Sequence, residues 1–317
     1  MHIYLLTFLV ALSTTYFVTP IVRKFAFRVK ALDHPDSRKV HAAPVPYLGG
    51  LAIYLGFLLA IVIAISFAKW GGIKIGIGNL LGILLGGTLL MGVGIVDDIR
   101  GMTPMVKLFF QTIAAAIVIY YGIEISFVSN PFDGIWMIGW FTIPLTLLWI
   151  VGVTNAMNLI DGLDGLASGV TAISCLALFF VALRTHQVGA AILVIALGGA
   201  VLGFIRYNFF PASIFLGDSG SMFLGFILAT TSIIGVLKTT LVVALFVPVL
   251  ILGVPIFDTL FAIGRRLKNG THPFMADDKH IHHLLLRAGF TKREAVLCIY
   301  LACFVLSFFA LIMALQK

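Results

Sequence analysis

Charged side chains are scarce in this sequence. Asp, Glu, Lys and Arg make up 11% of its 317 residues and apolar types 61%, against roughly a quarter charged in an ordinary soluble domain. That scarcity excludes a water-soluble globule, whose surface-to-volume ratio demands a polar skin. Cysteine is nearly absent as well. Cys175, Cys298 and Cys303 all fall in apolar runs, at a spacing that fits neither a disulfide framework nor a metal knuckle. They read as small buried hydrophobes. Also missing are a G-x-x-x-x-G-K phosphate loop and a G-x-S-x-G elbow, which argues against a nucleotide-driven motor and against serine hydrolysis. No solenoid repeat or low-complexity linker divides residues 1–317, which read as a single transmembrane domain.

What the chain has in abundance is long apolar runs. At about 20 residues per helical span, ten are expected, near 3–22, 48–68, 79–96, 108–122, 137–156, 166–183, 188–205, 221–237, 240–263 and 294–315. They are continuous rather than alternating, so the expected architecture is an all-α, polytopic membrane protein and not a β-barrel. The first run lacks a basic leader and ends in Arg23-Lys24, as an anchoring span does and a cleaved signal peptide does not. Sixteen of the 21 Lys and Arg residues fall in loops after odd-numbered spans, and five (Lys69, Lys74, Arg184, Lys238, Lys317) on the other side. The positive-inside rule then places the richer face in the cytoplasm and both termini outside, in an inner (plasma) membrane. Topology and anionic lipid explain the net charge of +8 without a nucleic-acid partner.

The acidic residues are just as one-sided. Of 13 Asp and Glu, only Glu124 and Asp133 fall on the outer side. A carrier would set its functional groups near the bilayer midplane. An enzyme drawing a soluble substrate from the cytosol would gather them at one face, as here.

Four clusters stand at that face. Asp97-Asp98 end the third span, with Lys107 nine residues on. Two carboxylates at a helix C-terminus repel each other and oppose the helix dipole, so Lys107 or a divalent metal should offset them. Asn155, Asn158, Asp161 and Asp164 recur every three residues in N-A-M-N-L-I-D-G-L-D-G. Amides and carboxylates at the end of an apolar span imply a wet, charged site, and oxygen-rich groups suit magnesium shared with phosphates. The third cluster, R-Y-N-F-F-P-A-S-I-F-L-G-D-S-G-S, sets Asp218 at the start of a helix, either as an N-cap or as a metal ligand. Phe215 is an interfacial aromatic or a stacking surface for a base. The fourth is H-I-H-H, in which His280, His282 and His283 share a loop with Lys279 and Arg287, a set suited to gripping a phosphate. Zinc is poorly supported, because no cysteine is near. Two weaker features are the basic, Pro-rich first loop with Arg38, Lys39 and His41, and Asp258 inside the ninth run. An intramembrane carboxylate is either functional or paired with a neighbouring helix.

Carboxylates, amides and a histidine-arginine loop at one membrane face describe a magnesium-dependent phosphate site with one lipid and one cytosolic substrate. The order D-D…K, N-x-x-N-x-x-D-G-x-D-G, N-x-x-P-A-x-x-F-x-G-D-x-G-S and H-I-H-H resembles the polyprenyl-phosphate N-acetylhexosamine-1-phosphate transferases, of glycosyltransferase 4 type, along the whole chain. It is most like the branch that starts O-antigen or teichoic-acid linkage units (WecA/TagO type). The branch using UDP-MurNAc-pentapeptide for peptidoglycan is less similar, since Ile281 interrupts the histidines. The first-loop pattern R-K-x-H-x-x-P-x-P-x-x-G-G also fits the former.

The resemblance implies transfer of GlcNAc-1-phosphate from UDP-GlcNAc to undecaprenyl phosphate, with UMP released and Mg2+ as cofactor, Mn2+ being a substitute. It implies that Asp97 and Asp98 are essential, Asp97 as base for the lipid phosphate. Asp218 would be the metal ligand together with Asp98, and Asp161 and Asp164 would complete the catalytic environment. Substrate would be bound by Lys107, Asn155, Asn158, Phe215, His280, His282 and His283, and by Arg38, Lys39 and His41 of the first loop. A two-step route through an aspartyl-phosphate stays open, as do other N-acetylhexosamine donors and the choice between monomer and homodimer. Two rivals are weaker. D-G-L-D-G-L-A is faintly similar to the CDP-alcohol phosphatidyltransferase motif, but Ser168 replaces its arginine. A transporter would need carboxylates for ion coupling, and Asp258 alone lies deep enough.

Overall fold

The computed structural model describes residues 2–33, 44–70, 77–129, 135–237, 246–270 and 279–315. Its helices are α1 (His2–Arg28), α2 (Gly49–Trp70), α3 (Ile77–Arg100), α4 (Pro104–Tyr120), α5 (Thr142–Ile160), α6 (Leu166–Arg184), α7 (Val188–Asn208), α8 (Gly217–Ser232), α9 (Phe246–Ile251), α10 (Gly253–Lys268), α11 (Ile281–Arg287) and α12 (Lys292–Leu315). Two short antiparallel strand pairs complete it: β1 (Leu32–Asp33) with β2 (Val45–Pro46), and β3 (Phe127–Ser129) with β4 (Ile135–Met137). The all-α, polytopic expectation holds. Among the described residues, eight helical segments are long and apolar enough to cross a membrane.

Small residues set the packing. Helix α1 buries Ile3, Thr7, Ala11, Thr15, Thr19, Val22 and Ala26, one face repeating every three or four residues, and packs that face on α2 and α7. Small side chains let membrane helices approach closely where lipid gives no hydrophobic drive. The buried Thr7 and Thr19 hydroxyls donate to carbonyls one turn back, at 2.7 and 2.6 Å, so neither is left unpaired. Helix α8 lies at the centre, against α2, α3 and α5, and every residue of it except Asp218 is buried. It is also the least hydropathic of the eight segments, because protein rather than lipid surrounds it.

Several of the ten expected runs shift by a few residues at one end, and one is divided. The run 108–122 is α4, which starts earlier at Pro104, where a proline at the first helical position loses no bond. The run expected as one span over 240–263 is, within the described residues, two helices meeting at Leu252. Pro255 has no N–H to donate to Ile251 and its ring crowds that carbonyl. The Ser174 hydroxyl donates to the Ile251 oxygen instead, at 3.4 Å. The C-terminal ends of α3, α5 and α7 and the N-terminal ends of α4, α6 and α8 gather at one end of the bundle.

Candidate active site

Three helices meet at one ammonium. Lys107, in the first turns of α4, donates to Asp97 Oδ2 at 2.9 Å and to Asp218 Oδ2. Lys107, one of the two cations expected near the Asp97-Asp98 pair, thus meets Asp97, with Asp218 drawn in from α8. Asn158, near the end of α5, donates to Asp218 Oδ1 at 2.9 Å and to Ser221 Oγ at 2.8 Å. Both oxygens of Asp218 are thus held by side chains from other helices.

Asp98 has a different occupation from its neighbour. Its Oδ1 accepts the backbone N–H of Asp218 at 2.7 Å, and its Oδ2 accepts the Ser219 hydroxyl at 2.6 Å and the Ser219 N–H at 3.3 Å. The N-cap reading of Asp218 is corrected here. Asp218 lies inside the first turn of α8, Leu216 stands at the cap without a capping side chain, and Asp98 supplies the acceptors from α3. Gly217 makes this fit, since its φ is +76° and a Cβ there would meet the Asp98 carboxylate. Asp98 and Asp218, the two expected metal ligands, thus both have their oxygens hydrogen-bonded by neighbouring helices.

The D-G-L-D-G turn links α5 to α6. Asp161 is the C-terminal flanking residue of α5, and among the described residues no hydrogen bond or ion pair reaches its carboxylate. Burial, then the charges of Asp218, Asp98 and Asp164, push its carboxyl well above the usual carboxylate range. Asp164 instead accepts the N–H of Ala212 at 2.9 Å and so ties down the P-A segment after α7. Asn155 points elsewhere too: it exchanges hydrogen bonds with the buried Gln111 of α4, at 2.6 and 3.5 Å.

The histidines lie beside this turn. A Cβ on Gly162 would collide with the His282 ring, so glycine there lets α11 close on the loop. His282 is 2% exposed, and burial, then His283 and His280, lower its pKa to about 4 against the opposing pull of Asp258. Among the described residues its buried Nδ1 has no hydrogen-bond partner. The His280 and His282 rings are parallel with centroids 6.0 Å apart, and His283 is 4.2 Å from His282.

Phe215 joins the site to the first loop. Its N–H donates to Pro46 O at 2.8 Å, while Gly49 and Gly50 donate back to Phe215 O and Leu216 O, both at 2.9 Å. Its half-buried ring lies 5.8 Å from Tyr47. Burial, then the hydrogen bond and charge of Asp33, raise the Tyr47 phenol. Arg38, Lys39 and His41 lie outside the described residues. Gln111, Ser219 and Tyr47 belong to the site without having been singled out by the motifs. A buried amide in the short fourth run is the available signal for Gln111, whereas Ser219 and Tyr47 are distinguished only by the packing of α3 and of the first loop.

Four carboxylates, those of Asp97, Asp98, Asp161 and Asp218, thus share this end of the bundle with the ammonium of Lys107. An all-oxygen donor set with excess negative charge is the chemistry of a hard divalent cation. Among the described residues, no three His, Cys, Asp or Glu side chains form a ready metal cage.

Known proteins share this chain's pattern. Residues 80–236 match the model of glycosyl transferase family 4. A Bacillus subtilis protein named probable undecaprenyl-phosphate N-acetylglucosaminyl 1-phosphate transferase is 40% identical over 96% of this chain and 84% of its own length. A Mycolicibacterium smegmatis decaprenyl-phosphate N-acetylglucosaminephosphotransferase is 38% identical over 95% of this chain and 79% of its own. The Escherichia coli undecaprenyl-phosphate alpha-N-acetylglucosaminyl 1-phosphate transferase is 29% identical over 93% and 80%. With its motifs gathered at one end of a helical membrane bundle and this likeness running nearly end to end, the chain belongs to glycosyl transferase family 4, among the polyprenyl-phosphate N-acetylhexosamine-1-phosphate transferases.

Proposed function

We propose that the chain transfers GlcNAc-1-phosphate from UDP-GlcNAc to a polyprenyl phosphate such as undecaprenyl phosphate, releasing UMP at the cytoplasmic face of the plasma membrane. The observation that carries this is the convergence of Asp97, Lys107 and Asp218 from three helices, in a chain whose relatives are named for that transfer. An oxygen of the lipid phosphate attacks the β-phosphorus of the donor. The bond from that phosphorus to the bridging oxygen breaks, and UMP leaves with the electron pair. One phosphoanhydride replaces another, so acceleration must come from positioning and charge compensation.

Each residue then has a task. Asp97 takes the proton of the lipid phosphate, and Lys107 neutralises incoming phosphate charge. Asp218 and Asp98, with Asp161 beside them, are the residues that would hold magnesium, or manganese in its place. Such an ion supplies charge neutralisation on the phosphoryl oxygens. Asn158 fixes the Asp218 rotamer, and Asp164 holds the loop that carries Phe215. Phe215 offers a face to uracil, while His280 and His283, backed by His282, meet the pyrophosphate or sugar. The basic residues Arg38, Lys39 and His41 add phosphate-binding charge.

The test is UMP release by the purified chain given undecaprenyl phosphate, UDP-GlcNAc and magnesium, each omitted in turn. Release that needs all three supports the proposal. UMP only from UDP-MurNAc-pentapeptide or another UDP-sugar would move the donor assignment, and no UMP from any UDP-sugar would overturn the reaction.

A further inference from the structure

Asp258 has no task in that reaction, yet it is among the best-held carboxylates in the molecule. It lies on α10 and is 8% exposed. Its Oδ2 is 2.8 Å from His280 Nδ1, and its Oδ1 accepts the Ile281 N–H at 2.8 Å. One carboxylate thus grips a ring and the backbone that carries it. The grip matters because His280, at the N-cap of α11, makes no capping bond of its own among the described residues. A carboxylate can only accept, so the proton of neutral His280 belongs on Nδ1, leaving Nε2 to meet a substrate. His280 is stacked parallel to His282, which closes over Gly162 beside Asp161. The orientation that Asp258 sets is therefore passed to the edge of the carboxylate cluster.

We propose that Asp258 is a positioning residue. It holds His280 as the Nδ1–H tautomer and anchors the first turn of α11, so that Nε2 is presented to the pyrophosphate of the donor. This rests on the transferase reading above.

The first measurement is the tautomer of His280 in the wild-type chain, by 15N NMR of histidine-labelled protein at neutral pH, the signal being assigned by its loss in His280→Gln. A protonated Nδ1 is expected, and a protonated Nε2 overturns the proposal whether or not any variant folds. The second is turnover of Asp258→Asn, which keeps an acceptor for Ile281 but turns an amide donor toward Nδ1. Its kcat/KM for UDP-GlcNAc should fall about ten- to a hundredfold with an unfolding temperature close to wild type. Combined with His280→Gln, it should cost nothing beyond His280→Gln alone. Additive losses, or wild-type turnover in Asp258→Asn, would defeat it. If the wild type released no UMP from any UDP-sugar, the transferase reading would fail, while the tautomer would still report whether Asp258 holds His280.

Discussion

The carboxylate of Asp98 caps the helix that begins beside Asp218, accepting the Asp218 N–H at 2.7 Å across 120 residues of sequence. Adjacent acidic residues on α3 therefore divide their work. Asp97 faces the ammonium of Lys107, and Asp98 holds the N-terminus of α8 in place.

Removing that cap should be felt in stability as well as in rate. Asp98→Ala leaves the Asp218 and Ser219 donors without acceptors, at a cost of about 1–3 kcal/mol. A lower unfolding temperature in detergent, together with loss of UMP release, is expected. An unchanged unfolding temperature would show that α8 does not depend on Asp98.

Lys107→Met removes the cation between Asp97 and Asp218 and leaves their like charges uncompensated. Turnover should fall about a hundredfold or more, on the worth of charge-assisted hydrogen bonds. Initial rates of UMP release at saturating donor would check this, and activity near wild type would remove Lys107 from the site.

Asp161→Asn should stabilise the protein while abolishing turnover. A carboxyl raised above its ordinary 3.8 opposes folding once it ionises, so its unfavourable contribution grows as pH rises. Unfolding temperatures measured without divalent metal should show the variant ahead at pH 8, with the gap closing toward pH 4. A gap that widened on acidification would contradict the assignment.

His282 has the opposite sign. Its folded pKa of about 4 lies below the ordinary 6.5, so it supports folding above pH 6.5 and withdraws that support as pH falls toward 4. The loss should reach about 3 kcal/mol. His282→Gln should flatten this part of the stability–pH curve, which unfolding scans from pH 7.5 to 4.5 would reveal.

How much of the site was legible depended on range. The need for a cation near Asp97-Asp98 could be read locally, and Lys107 supplied it. The spacing of Asn155, Asn158, Asp161 and Asp164 suggested one wet, charged site, but their surroundings separate them. Asn155 meets Gln111, Asn158 meets Asp218, and Asp164 meets Ala212. Asp161 alone of the four lacks a hydrogen-bond partner among the described residues. The break before Pro255 was written in the chain, but hydropathy counts proline's neighbours and not its missing donor.

Composition and pattern alone determined that this is a helical membrane protein with its acidic and basic motifs gathered toward one face. Burial of apolar runs in lipid and the self-satisfied hydrogen bonding of helices are local consequences of sequence. Only the tertiary structure decided which carboxylate became a cap, which met an ammonium and which, among the described residues, stayed unpaired. Those outcomes depend on where α3, α4, α5 and α8 end relative to one another, and helix packing, not residue spacing, sets those distances.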